Sequence, residues 1–199
     1  MMAVDQVLPG LHDPVDDAQR IFRAAMNALA RPGRVHHLVD LPSPPPPFNK
    51  VACALILALA DHETQVWLDE PFARDGAAEA HIRFHTGARI VRDPAASTFA
   101  IVSDPRRMAP MSTFSKGSLQ YPDRSTTVIV QLESLHEGPG LTLRGPGIET
   151  STRLAAAPLP TWFRTAMAEN RALFPCGIDV LLASTTSLAG LPRTTAIGE

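Results

Sequence analysis

Val51 to Ala60, VACALILALA, is ten consecutive apolar residues. A membrane span needs about 20, so this run is the helix of a water-soluble protein with no polar face to offer the solvent. Asn49 stands just ahead of it as an N-cap. A helix of this kind must be covered all round, either in the centre of a layered domain or partly by a second subunit. The other long apolar segment is Thr126 to Leu132, TTVIVQL, which reads as the strongest strand of the chain. At 199 residues one core can bury about 70% of the extended-chain surface.

Other elements fall around these two. Asp13 caps a helix whose first turn holds Pro14, Asp16 and Asp17. Ile21, Phe22, Ala25, Met26 and Leu29 share one side of it, and Arg31-Pro32-Gly33 ends it. Val35–Val39, Thr64–Leu68, Thr98–Val102, Leu141–Leu143, Ile178–Ala183 and Ser187–Leu191 read as short strands. Residues 71–80 read as one or two helical turns, and His81–Thr86 as strand or turn. LPSPPPPF, residues 41–48, is a stiff polyproline connector. Residues 103–124 are irregular. Pro160 and Thr161 open a helix with Trp162, Phe163, Ala166 and Met167 on one side. Short strands, apolar on both faces and mixed with helices, predict a mixed sheet between helices: a three-layer α/β/α sandwich, one domain over residues 1–199.

Charge narrows the partners. With 18 basic and 20 acidic side chains the net charge is -2, so no nucleic-acid-binding surface is expected. The N-terminal residues lack a basic leader and a long apolar stretch, which predicts no secretory signal, no membrane span and a cytoplasmic protein. Two cysteines, Cys53 and Cys176, are too few for a disulfide scaffold.

The motifs give little catalysis. His81 and His85 are four apart, but HIRFH lacks the glutamate of a zinc-protease helix. As a strand it would hold the two rings about 13 Å apart; no metal is expected. Asp61, His62 and Glu63 either line a cleft or form a solvated helix end. Cys176 shows no partner base. The glycines at 138, 140, 145 and 147 alternate with prolines and read as turns, not as a phosphate loop. LPRTT, Leu191 to Thr195, is the best candidate anion site. Arg193 offers a two-pronged donor and Thr194 and Thr195 hydroxyls. His85 and Thr86, after another apolar run, are expected at the same rim of the sheet. The alternative is that Arg193 pairs with Asp179 and pins the C-terminal tail.

Seven segments together carry a resemblance. ARPGRV (30–35), LALADHETQVWL (57–68), IRFHTGA (82–88), YPDRSTTVIVQ (121–131), LTLRGPGI (141–148), FPCGIDVLL (174–182) and LPRTT resemble, in order and at compatible spacing, the H-subunit family of the bacterial carbon–phosphorus lyase system, PhnH. The four-proline loop is an apparent insertion relative to that family. The resemblance implies a reduced pyridoxal-phosphate-dependent transferase fold and a homodimer. It also implies membership of a phosphonate-catabolising complex with subunits G, I and J and the ATP-binding-cassette subunit L. The step implied is formation of ribose 1-phosphonate 5-triphosphate from ATP and a phosphonate, with no catalytic residue assigned to this subunit and no activity of its own. An autonomous small-molecule enzyme and an anion-binding dimeric module are the alternatives. No cofactor is expected: pyridoxal phosphate needs a lysine and a carboxylate beside a phosphate cup, and neither Lys50 nor Lys116 sits by a recognisable one.

Overall fold

The computed structural model describes residues 7–74 and 76–198. The ends of the expected 1–199 domain, and the first six residues of the segment read for a leader, lie outside them. The chain forms, in order, α1 (Asp16–Ala30), β1 (His36–His37), α2 (Lys50–Leu59), β2 (Gln65–Leu68), α3 (Ala77–Thr86), β3 (Arg89–Val91), β4 (Phe99–Val102), β5 (Thr127–Gln131), β6 (Ser134–Arg144), β7 (Thr152–Ala157), α4 (Phe163–Ala172), β8 (Asp179–Ala183), β9 (Ser187–Leu191) and β10 (Ala196–Gly198). Seven strands make a mixed sheet in the order β1-β9-β8-β5-β4-β2-β3. The five from β8 to β3 are parallel, while β9 and β1 close one side antiparallel. A second, antiparallel sheet has the order β10-β6-β7.

The apolar helix α2 lies within the fold: Val51 to Ile56 are fully buried, together with α1, α3 and one face of the sheet. Asn49 caps it as its sequence predicts, accepting from the Ala52 N–H at 2.8 Å. The same side chain donates to the Ala183 carbonyl at 2.8 Å, and the Asn49 N–H donates to Gln131 Oε1. The start of α2 is thereby tied to the ends of β5 and β8. Before it, Pro42, Pro45 and Phe48 are buried at every third residue, so the proline segment is packed down rather than loose.

The opposite face is covered differently from the expected helical layer. Val128, Val130, Val180 and Leu182 pack against Leu135, Leu141, Leu143 and Leu154 of the second sheet, against Phe163 and Met167 of α4, and against Met108, Met111 and Phe114. The third layer is therefore one helix, a small sheet and the irregular segment. Its strands were hard to read because β6 contains Gly138-Pro139-Gly140. The β6–β7 register shifts there, Glu137 and Leu141 both falling opposite Leu154. A Cβ on Gly140 would strike the Leu154 carbonyl, so the glycine belongs to a bulge inside the strand rather than to a turn.

Two helices also depart from expectation. In α1 the buried residues are Ile21, Ala25 and Ala28, while Phe22 and Met26 are exposed. The reason is Gly190 in β9. A Cβ there would lie 2.5 Å from the Ala28 carbonyl carbon and oxygen, so helix and strand touch backbone to backbone and only small residues fit between. His81–Thr86, read as strand or turn, is the second half of α3. Ile82 and Phe84 mimic a strand's alternation, yet Ala78, His81 and Ile82 form the buried helical stripe. Gly76 and Gly87, both at φ near +70° (73° and 72°), bound the helix. His81 and His85 thus share a helix face, with ring centroids 4.5 Å apart rather than the expected separation.

His81 is buried and neither ring nitrogen has a hydrogen-bond partner among the described residues. Burial, reinforced by His85, pulls its pKa down from 6.5 to about 4. Between those values the unfolded chain binds a proton that the folded chain refuses, so stability held above the unfolded pKa is lost as the pH falls through this window. We expect the urea midpoint to drop from pH 7 to pH 4, with a His81 share of about 3 kcal/mol at the acid end. His81→Leu should flatten that share; an unchanged pH profile in the variant would refute it.

Candidate functional site

The expected anion residues do not converge. Strand β9 runs antiparallel to β8, so Arg193, just beyond β9, lies beside Asp179 at the start of β8. His85 and Thr86 end α3 just ahead of β3. Four strand spacings separate β8 from β3, about 19 Å. His85 Nε2 meets the Leu8 carbonyl at 2.9 Å, and Thr86 Oγ1 donates to the Ile82 carbonyl of its own helix at 2.7 Å. The Thr195 hydroxyl is buried without a partner among the described residues, and Thr194 borders a surface cavity with Pro146, Arg171 and Phe174.

Arg193 is fully engaged. Its Nε and Nη2 donate to the two Asp179 carboxylate oxygens at 3.2 and 2.6 Å. Nη2 also donates to Ser125 Oγ at 2.6 Å, and Nη1 to the carbonyls of Pro122 and Pro175 at 2.9 and 3.2 Å. A guanidinium has five N–H donors, and each has an acceptor here. The geometry is that of the pinning alternative: Arg193 joins the C-terminal segment to β8 and to the loops before β5 and β8.

The carboxyl ends of β2 and β4 hold a site the sequence reading missed. From β2 the chain crosses to β3 on one side and then returns to β4 on the other, so a topological switch point lies between β2 and β4, the usual ligand position in such sheets. Asp69 follows β2 and Ser103 follows β4. Asp69 Oδ2 accepts from the Ser103 N–H at 2.7 Å and the Ser103 hydroxyl at 2.8 Å. Oδ1 is buried with no partner among the described residues. Burial pushes this carboxyl above the usual aspartate range, against the lowering effect of Ser103. Outside it runs an exposed ladder of Arg74, Glu70 and Arg107, with Arg106 on Glu133. Arg74 and Arg107 hold Glu70 below the usual glutamate range. The available signal was local: a polar residue placed immediately after each of two apolar strands.

A cleft of about 480 Å³ opens between α4 and residues 110–116. Trp162, Met111, Ala166 and Leu173 give it apolar walls, and Lys116 and Glu169 bring one charge of each sign. Lys116 Nζ donates to the Ser112 carbonyl at 3.2 Å. The neighbouring Asn170 is spent on the backbone, its amide donating to the Ile178 carbonyl at 2.9 Å and its oxygen accepting from the Ile178 N–H at 2.8 Å. The lining offers pyridoxal phosphate an amine and a carboxylate but neither an arginine nor a glycine turn for its phosphate, so the residues do not fit that group.

The remaining candidates are structural. Asp61, His62 and Glu63 are exposed, and Asp61 Oδ1 accepts from the Glu63 N–H and the Thr64 hydroxyl, a solvated helix end. Burial pushes the Cys53 thiol up to about 12, which keeps it protonated. Among the described residues no three metal-ligating side chains cluster.

Fold and sites together define a mixed-sheet α/β protein with a ligand-sized cleft and a polar interior committed largely to its own framework. Comparison with known proteins gives the family. The family model described as "Bacterial phosphonate metabolism protein (PhnH)" matches residues 9–198. The chain is 38% identical over 198 residues to the α-D-ribose 1-methylphosphonate 5-triphosphate synthase subunit PhnH of Rhizobium meliloti, covering 99% of this chain and 98% of that one. It is 32% identical over 181 residues to the protein HtxG of Stutzerimonas stutzeri, covering 90% of this chain and 85% of that one. The chain belongs to the PhnH family of bacterial phosphonate metabolism proteins.

Arg193→Ala should cost about 3 kcal/mol of folding stability, because it strands a Asp179 carboxylate that is only 20% exposed and leaves two carbonyls without their donor. Chemical denaturation reads this directly. A variant that keeps its stability and loses function instead would restore Arg193 to an anion site.

Proposed function

We propose that this chain is the H-type subunit of a bacterial carbon–phosphorus lyase assembly, acting in the formation of ribose 1-phosphonate 5-triphosphate from ATP and a phosphonate. The observation that carries this reading is the end-to-end match to a synthase subunit, 38% identical over 99% of this chain and 98% of the relative. Its partners on this reading are subunits G, I and J and the ATP-binding-cassette subunit L, and in isolation it pairs with a second copy of itself.

The physical role is assembly, with turnover only in the complex. Arg193 is committed to Asp179, Ser125 and two carbonyls, and Cys53 to the core. The cleft beside α4 and the switch point at Asp69 remain as surfaces that a partner or substrate would complete. The sheet, with its parallel centre and antiparallel β9, supports descent from a reduced pyridoxal-phosphate-dependent transferase fold. No helix among the described residues is long and apolar enough to cross a membrane, and a cytoplasmic place follows from the intracellular substrate ATP.

The test is reconstitution with ATP and methylphosphonate, reading adenine release by chromatography. The purified chain alone should release none above background. The set of G, I, L and this chain should sustain release, and omission of this chain should abolish it. Release over many turnovers by the chain alone would overturn the subunit reading.

A further inference from the structure

Two glycine–proline turns that stand out in the sequence have no part in the sites above: Arg31-Pro32-Gly33 after α1 and Gly145-Pro146-Gly147 after β6. The structure locks them together. A Cβ on Gly33 would strike the side chains of Thr152 and Leu143, and one on Gly147 would strike the Ala30 carbonyl. Each turn therefore presses its glycine into the other's segment. Pro32 and Gly33 are buried, while Arg31 and Arg34 on either side of them are exposed. Between the turns opens a cavity of about 480 Å³.

Its lining is polar almost throughout. Arg31 and Arg34 bring two guanidinium groups, Glu137 and Glu149 two carboxylates, and Thr150, Ser151 and Thr152 three hydroxyls. Glu137 is held in place by the backbone, its Oε1 accepting from the Val35 N–H at 3.1 Å. None of these two arginines and two glutamates belongs to a salt bridge among the described residues. Both signs of charge thus share one cavity without closing it. His36 feels both arginines: burial, then Arg34 and Arg31, hold it below the usual histidine range, against the opposing effect of Glu137. Its Nε2 is buried with no partner among the described residues.

A ligand that fits must satisfy both signs at once. A guanidinium fork matches the oxygens of a phosphoryl or phosphonyl group, and a pair of forks matches its double charge. Carboxylates and side-chain hydroxyls match the hydroxyls of a sugar. The lining has no aromatic face and little apolar wall, so a purine base or an apolar amino acid finds no cover there. We propose that this cavity binds a phosphorylated sugar. Arg31 and Arg34 hold the phosphoryl group, and Glu137, Glu149 and the hydroxyls of residues 150–152 hold the sugar. The site deepens the reading above, whose product is a phosphorylated pentose, and it rests on that reading for its place in the reaction.

Titration calorimetry of the full chain with D-ribose 5-phosphate, inorganic phosphate and ribose tests it. Ribose 5-phosphate should bind more tightly than either of the other two. Arg31→Ala with Arg34→Ala should weaken it about tenfold or more through the lost charge-assisted hydrogen bonds. The melting temperature should not move, since both side chains are exposed and neither is salt-bridged. Glu149→Gln should weaken ribose 5-phosphate and leave inorganic phosphate bound at least as well, because it removes a sugar acceptor and a negative charge together. Arg89→Ala with Arg92→Ala is the same loss of charge at β3, on the opposite edge of the sheet from β1, and should leave binding unchanged. No heat of binding with millimolar ribose 5-phosphate, equal affinity for inorganic phosphate, or full binding by the Arg31 and Arg34 variant would each overturn the proposal. So would an equal loss in the β3 pair, or a fallen melting temperature in the Arg31 and Arg34 variant. Adenine release in the reconstituted set is scored separately. A chain required for release but blind to ribose 5-phosphate sinks this site and spares the subunit reading; a chain that binds ribose 5-phosphate but is dispensable for release does the reverse.

Discussion

Strand β5 has no wet face. Val128, Ile129 and Val130 are each fully buried, alternating between the two sides of the sheet. A strand like this folds only if apolar material is laid over both sides, and the rest of the architecture answers that demand. On one side α1, α2 and α3 supply it. On the other, α4 cannot cover the sheet alone, so the bulged hairpin of β6 and β7 and the methionine-rich segment before β5 complete the cover. Backbone contact between Gly190 and Ala28 brings α1 close to β9, and the same closeness sends Phe22 and Met26 outward.

With both faces closed, polar groups collect at the strand ends, where they tie elements together. At the carboxyl edge Asn49 joins α2 to Gln131 and Ala183, and Asp69 joins β2 to Ser103 after β4. At the amino edge Arg193 joins Asp179 to Ser125 and to two loop carbonyls, and Asn170 holds the backbone of Ile178. A buried hydrogen-bonded group stabilises by about 1 kcal/mol when satisfied and costs more when orphaned. These ties therefore favour a rigid frame over a responsive one.

Legibility in the sequence followed the range of the forces involved. The cap at Asn49, the burial of Val51 to Ile56, and strands β4, β5, β8 and β9 were readable because each is specified by neighbours a few residues away. The second sheet was half read: Leu141 to Leu143 showed itself, while Ser134 to Gly140, β7 and β10 did not. A glycine–proline–glycine bulge looks like a turn until its partner strand is known. In α3, Gly76 and Gly87 were the better evidence, and the alternation of Ile82 with Phe84 the worse. The anion residues had the chemistry expected of them. Their separation came from the strand order and from the reversed direction of β9, neither of which leaves a local mark.

The sequence by itself determined the class of fold, since continuous apolar strands and an all-apolar helix leave a covered mixed sheet as the stable arrangement. It also determined the family, since ordered blocks along the whole chain survive wherever packing restricts substitution. Tertiary structure alone decided which polar residues are free. Arg193 could grip an anion or Asp179, and the choice went to the carboxylate because β9 returns antiparallel and sets the guanidinium beside it. Asp69 and Ser103, 34 residues apart, became partners because β2 and β4 are adjacent in the sheet. A side chain's chemistry is local, but its partner is set by where the backbone brings a distant segment.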